Sequence, residues 1–546
     1  MLDVEGPPSR PSEARYDELL GPAGSKDAET TFTRATATYV NLDERFRTAK
    51  RTYERQYAQL YFSRLMLLKG VMRRQVEELW PGVPVCSILE VQENREVAVI
   101  GTLYKNMKLK PSILDEYTKD RGLKAALGAA NFCSDDDSVV LEDEGARMVL
   151  NTAGGQPVEA EAGAGAGMAR SRPLQVAELV TGMVLAVRGA AEPGGDFIVS
   201  AVCFPGMAPH PHPLPHPLPS PAEAEAAAGA RSALAAGAPG DKYVALVSGL
   251  CLGGSKADVL KTQLAMDFLT GNLGRTQLAM DFLTGNLGSP VEQRLASQIV
   301  RLVLAGGGIG QLEALAGGIV GGSANPYNRQ AQSASLQPVR DLDVLLAEVA
   351  AAMPVDVMPG PEDPANVAMP QQPMHRCLFP ACGQHGALVR ATNPHEFTLD
   401  GVVLLGCSGQ NVEDQAKYCT LRDRLDIMER SLECRHLAPT APDTLTCYPF
   451  HDTDPFILPS TPHVYFAGNQ PDFATRLVAA PRTGPVGGGG AAGGGGGAGG
   501  SGAGAAGDVA VRLVAVPGFA RSGTVVLVNL RTLACHPVRF DGSLGL

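Results

Sequence analysis

A chain of 546 residues, with 45% hydrophobic and 19% charged side chains, is long enough for two or three domains and has the composition of a globular protein. Its net charge of −11 argues against a protein that grips nucleic acid mainly through phosphates, which needs a basic excess or stripe. No apolar stretch approaches the roughly 20 residues that cross a bilayer, and the start of the chain has no apolar signal core, so a soluble intracellular protein is expected.

Residues 1–38 are rich in Pro, Ser, Glu and Thr and read as a disordered tail. Asn41 and Glu44 form a capping-box-like pair that predicts a helical segment over residues 39–81. Phe46, Tyr53, Tyr57, Tyr61, Leu65, Leu68, Met72 and Val76 recur there at helical spacing, Arg47, Lys50, Arg51, Arg55 and Arg73 occupy the other face, and Pro81 stops the helix. The alternating runs Val83–Val91, Glu96–Tyr104, Met183–Arg188 and Phe197–Cys203 predict a small β-barrel over 82–208, with an Ala/Gly-rich insertion at 154–172. Asp135–Asp137 and Glu142–Glu144 lack the Gly and final Glu of a calcium loop and read as a solvated acidic loop. Residues 209–240 form a Pro/Ala-rich linker, in which His210, His212 and His216 read as incidental composition.

Residues 262–274 recur identically at 276–288, and each copy ends in a Gly-Asn-Leu-Gly breaker. A single tandem copy is too short for a solenoid, so one copy is expected to be extruded or badly packed. From 241 to 546 strands and helices interleave: helices at Asp341–Ala352 and Val412–Leu432, strands at Val402–Ser408, Val464–Gly468, Val511–Val516 and Thr524–Leu530, and a Gly-rich insertion at 487–507. That alternation predicts a layered α/β sandwich. Eleven cysteines at scattered spacings, without a Cys-x-x-Cys pair, give no zinc-finger ligand set.

Several of the apolar runs end in small-residue loops. A two-metal phosphoesterase of the calcineurin type places Asp, His and Asn ligands on such loops, as Asp-x-His, Gly-Asp-x-x-Asp, Gly-Asn-His-Asp/Glu, a lone His and Gly-His-x-His. The frame is similar here, but Gly249 and Cys251 stand at the first loop and Gly307 and Gly310 at the second. Pro361, Glu362 and Asp363 stand at the third, Ser408 at the fourth, and Asn469 and Pro471 at the fifth. Glycine and proline have no side-chain donor atom, so no catalytic residue, metal or cofactor is expected; Asp363, the single match, is expected to cap a turn before Pro364. No Gly-x-Ser-x-Gly, His-Glu-x-x-His or Gly-x-Gly-x-x-Gly constellation points to another enzyme class.

The ordered set Val99–Met107, Pro354–Asp363, Pro370–Pro373, Gly406–Val412 and Ala438–Leu445 resembles the family of inactivated phosphoesterase second (B) subunits of replicative DNA polymerases, the delta type in particular. The resemblance covers roughly residues 40–540 apart from the low-complexity insertions. It implies an α+β multidomain fold in which an N-terminal helix and an OB-fold β-barrel pack on a calcineurin-like phosphoesterase sandwich. It implies a non-catalytic scaffold in DNA replication, in the nucleus, docked in a hetero-oligomer on the C-terminal domain of the polymerase delta catalytic subunit and on a third accessory subunit, with DNA contact indirect or weak. The alternatives are an OB-fold single-strand binder and a working metallophosphoesterase. The barrel strands carry few aromatics for base stacking, chiefly Tyr104 and Phe197.

Overall fold

A computed structural model describes residues 14–15, 33–48, 54–111, 131–152, 171–210, 214–216, 240–254, 290–310, 329–479 and 510–539. The tandem repeat, the Gly-rich insertion, nearly all of the 154–172 insertion and most of the 209–240 linker lie outside the described residues.

In chain order the elements begin with strands β1 (Ala14–Arg15) and β2 (Tyr39–Asn41) and helix α1 (Ala58–Leu79). Then come β3 (Val85–Cys86), β4 (Val97–Asn106), β5 (Ser138–Glu142), β6 (Arg147–Thr152), β7 (Val184–Ala191) and β8 (Phe197–Cys203). The larger part holds β9 (Tyr243–Val247), α2 (Pro290–Gln298), β10 (Ile299–Ala305), α3 (Arg329–Ala352), β11 (Val355–Met358), β12 (Leu388–Arg390), β13 (His395–Leu399) and β14 (Val402–Cys407). It closes with α4 (Gln410–Tyr418), α5 (Arg424–Glu433), β15 (Val464–Gln470), β16 (Ala474–Ala479), β17 (Ala510–Pro517), α6 (Phe519–Ser522), β18 (Thr524–Asn529) and β19 (Cys535–Arg539).

Strands β3 to β8 form one sheet in the order β3-β4-β5-β6-β8-β7, and pairing of β4 with β7 closes it into a barrel. Val97, Val99, Leu103, Val139, Leu141, Leu185, Val187 and Phe197 are buried in its core. Closure removes the exposed edges that an open sheet would leave. Helix α1 lays Leu65, Leu68, Met72 and Val76 on the barrel's Ala98, Ile100, Val184 and Ala186, so the second half of the apolar stripe read from the sequence is the packing face, whereas Phe46 lies outside the helix and Tyr57 is exposed.

The larger part stacks two sheets, β1-β19-β18-β9-β10-β11-β12 and β16-β17-β15-β14-β13-β2. Leu246, Val303, Phe397, Leu404, Phe466, Val514 and Val526 make a shared core between them. β9 (Tyr-Val-Ala-Leu-Val) and β10 are buried along their whole length, as parallel strands covered on both faces require. On the outer face of the first sheet, Leu342, Leu346 and Val349 of α3 pack on Leu302, Leu304, Val355 and Val357.

Several expectations shift. Asn41 does not begin a helix: it ends β2, which pairs antiparallel with β13, and its side chain accepts a hydrogen bond from the Asp43 N–H at 2.8 Å in an Asx turn. The helix expected over 39–81 therefore begins at Ala58. The Val412–Leu432 helix is two helices, because Asp423 caps a new start at Arg424 by accepting from Leu425 N–H at 2.9 Å. The acidic stretches are only partly solvated: Asp135, Asp136 and Glu144 are exposed, but Asp137 and Asp143 are built in. The Asp137 carboxylate lies 3.7 Å from the buried Lys105 ammonium, and Asp143 accepts from the N–H groups of Gly145 and Ala146 to close the β5–β6 turn. His210 is also structural: it is 4% exposed and stacks on His463, 4.9 Å between ring centroids.

Candidate functional site

The loops after β9, β10, β11, β14 and β15 meet at the C-terminal ends of the strands, where open α/β sheets ordinarily take their ligands. The structure brings Gly249, Gly307, Asp363, Ser408 and Asn469 together there, and the space between them is closed. Gly249 N–H donates to Gly306 O and Cys251 N–H to Gly307 O, both at 2.9 Å, so the first two loops are zipped by backbone. A Cβ on Gly307 would come within 2.8 Å of Asn469 Oδ1 and 2.9 Å of the Gly249 Cα. Both glycines have positive φ, +62° and +70°, a region that side chains disfavour. A ligand Asp fits at neither position.

Asp363 accepts four backbone hydrogen bonds. Its Oδ2 takes N–H from Gly307 (2.8 Å), Gly308 (3.3 Å) and Gly360 (2.7 Å), and its Oδ1 takes that of Ile309 (2.8 Å). The expected turn cap is present through Gly360, and the same carboxylate also clamps the neighbouring β10 loop. Burial pushes this carboxyl up, while the four N–H donors pull it down. Asn469, at φ +56°, donates from Nδ2 to Ser408 O at 2.8 Å, and its own N–H donates to Ser248 Oγ at 2.8 Å. Asn393 donates to Gln371 Oε1, Ser408 Oγ and Gln410 Oε1 at 2.7–2.9 Å. A web of amides and hydroxyls stands where cations would need carboxylates and imidazoles. Gly310 packs on Gly254, whose Cα would meet a Gly310 Cβ at 2.6 Å; Pro361, Glu362 and Pro471 point to solvent. Among the described residues no group of three or more His, Cys, Asp or Glu could hold a metal ion.

A second constellation was not singled out from the sequence. Arg64 and Asp454 are fully buried, with Arg64 Nε 2.8 Å from Asp454 Oδ2. The Arg64 guanidinium also donates to the carbonyls of Gly182 (3.0 Å), Pro439 (2.9 Å) and Ala441 (2.7 Å). One side chain of α1 thus ties the barrel to the larger part. His436 Nε2 lies 2.8 Å from the same Asp454 oxygen, and its Nδ1 accepts from Ala438 N–H at 3.1 Å, which is the neutral tautomer. Burial and the Arg64 charge hold His436 down to about 4; against the cost of burial, His436 and Arg64 hold Asp454 below the usual carboxylate range. The available signal was a lone charge at helical spacing among Leu60, Leu65 and Leu68.

A third cluster fixes the N-terminal strap, residues 33–48. His395 is fully buried between Asp43 (Nδ1, 2.7 Å) and Asp356 (Nε2, 3.2 Å), and Asp356 also pairs with Arg301. Burial opposes its charge, but the two carboxylates raise His395 to about 9. Asp43 further accepts from Glu396 N–H at 2.8 Å, holding β2 on the sheet edge.

Residues 56–202 match the family described as DNA polymerase delta subunit OB-fold domain, and residues 244–475 match the family of the B subunits of DNA polymerases alpha and epsilon. The chain is 37% identical to an Arabidopsis thaliana DNA polymerase delta small subunit over 95% of this chain and 99% of that one. It is 31% identical to a Drosophila melanogaster DNA polymerase delta subunit 2 over 92% and 97%, and 27% identical to a Saccharomyces cerevisiae DNA polymerase delta small subunit over 90% and 91%. On these matches the chain belongs to the family of DNA polymerase delta small subunits, non-catalytic accessory chains of the replicative polymerase.

Proposed function

We propose that this chain is a rigid scaffold, derived from a calcineurin-like phosphoesterase that has lost its two-metal site, on which polymerase delta assembles in the nucleus. It docks on the C-terminal domain of the catalytic subunit and tethers a third accessory subunit. Its working parts are β2 and α1 within 39–81, the barrel within 82–208 and the sandwich within 241–546. The observation that supports this reading is the loop cluster, where a side chain in place of Gly249, Gly307 or Gly310 would clash and Asp363 is taken up by backbone N–H groups. The Arg64 tie adds to it, since a scaffold must present its two parts in a fixed relation. An obligate subunit interface is large and apolar, and binding to the folded partner raises that partner's working stability.

Co-expression with the catalytic subunit's C-terminal domain should give a complex that survives gel filtration, and separate elution would refute the scaffold role. Single-stranded DNA anisotropy at low salt should stay flat for the isolated chain. Tight binding with a steep salt dependence would instead favour the single-strand-binding alternative.

A further inference from the structure

The loop after β10 turns its backbone inward. Gly306 and Gly307 lie at φ +75° and +70°, and the successive N–H groups of Gly307, Gly308 and Ile309 point at one place. Gly360 N–H joins them from the next loop. Consecutive N–H groups that converge in this way form an anion-binding concavity. Here the chain fills it with its own side chain: Asp363 is 5% exposed, and its partners are backbone donors on both oxygens.

We propose that the emptied phosphoesterase loop cluster is a carboxylate cradle plugged from inside by Asp363, and that a small free carboxylate takes the place when this side chain is cut back. The ligand class follows from donors and space. Four N–H groups arranged around two oxygens suit a planar carboxylate. The walls are close: Gly360 approaches so near that a Cβ on it would lie 2.5 Å from Gly307 N, and one on Gly308 would lie 2.9 Å from Leu342 Cδ2. A tetrahedral phosphate does not fit the volume that one Asp side chain leaves. The cradle is independent of the assembly role, so its test does not depend on co-purification with polymerase subunits.

The test is thermal melting of the full chain and its Asp363→Ala, Asp363→Ser and Asp363→Asn variants in formate, acetate, phosphate or chloride at matched ionic strength. The Ala and Ser variants should melt below the parent. Formate should restore a large part of that loss in a saturable way, as a ligand that binds only the folded form does. Acetate should do less, and chloride and phosphate nothing. The parent, already plugged, should respond to none of them. Asp363→Asn fills the space but sets an NH2 against N–H donors, so it should be destabilised and unresponsive. A formate effect no larger than that of chloride, or equal in the parent or in Asp363→Asn, overturns the proposal. If the Ala and Ser variants do not fold in plain buffer, refolding from urea decides the matter: recovery in formate but not chloride supports the cradle, and recovery in neither overturns it.

Discussion

Replacing Arg64 by Met keeps the length of the side chain on α1 and removes its charge and donors. Asp454 then loses its cationic partner and keeps the His436 imidazole, and the carbonyls of Gly182, Pro439 and Ala441 lose the Arg64 donors. Removing one partner of a buried ion pair costs about 3–5 kcal/mol, and the three carbonyls left without their donor place this case at the upper end, so a loss of about 5 kcal/mol is expected. With an unfolding entropy of ~2.1 cal/mol/K per residue over a few hundred packed residues, that loss lowers the melting temperature by about 7 °C. The variant also has a pH signature. Arg64 helps to hold His436 down, so without it the imidazole protonates more readily beside Asp454. The parent loses stability as the pH falls below 6.5, because its unfolded form takes a proton that buried His436 refuses; the variant loses less. Differential scanning fluorimetry at pH 7.5 and 5.5 should show a deficit that narrows at the lower pH. A melting temperature within about 1 °C of the parent, or a deficit that does not change with pH, would falsify the assigned role of Arg64.

Burial holds both His210 and His436 at about 4, so their stabilising effect is complete above the unfolded value of 6.5 and fades as the pH falls. Each should cost about 2 kcal/mol by pH 5 in urea titrations, and His210→Phe should flatten that limb; an unchanged limb counts against the assignment. His395 has the opposite sign: raised to about 9, it stabilises below 6.5 and loses that contribution as the pH climbs through 9. A loss of about 2 kcal/mol between pH 7.5 and 10, absent in His395→Gln, is expected from urea midpoints. Gly307→Asp restores a ligand type but meets Asn469 Oδ1 and the Gly249 Cα at positive φ. It should destabilise by about 2–4 kcal/mol without binding metal, and manganese found in stoichiometric amount by elemental analysis after dialysis would contradict the closed-loop geometry.

The residue string by itself determined which side-chain atoms the loops can offer. Gly249, Gly307 and Gly310 carry no side-chain ligand atom in any conformation, and the period-two and unbroken apolar runs marked β4, β7, β8, β14 and β15 closely. Those are local properties, set by side-chain type and by the alternation of faces along a strand. Partners far apart in the chain were decided by tertiary structure alone. Asn41 looked like a helix start until β13 offered it a ladder, and Asp363 looked like a turn cap until the β10 loop brought three more N–H groups to it. Arg64 meets Asp454 across 390 positions, and His395 meets Asp43 across 352. A charge on an apolar stripe says only that a counter-charge is needed, because burying it alone costs too much; which residue supplies that charge is a matter of packing, not of sequence distance.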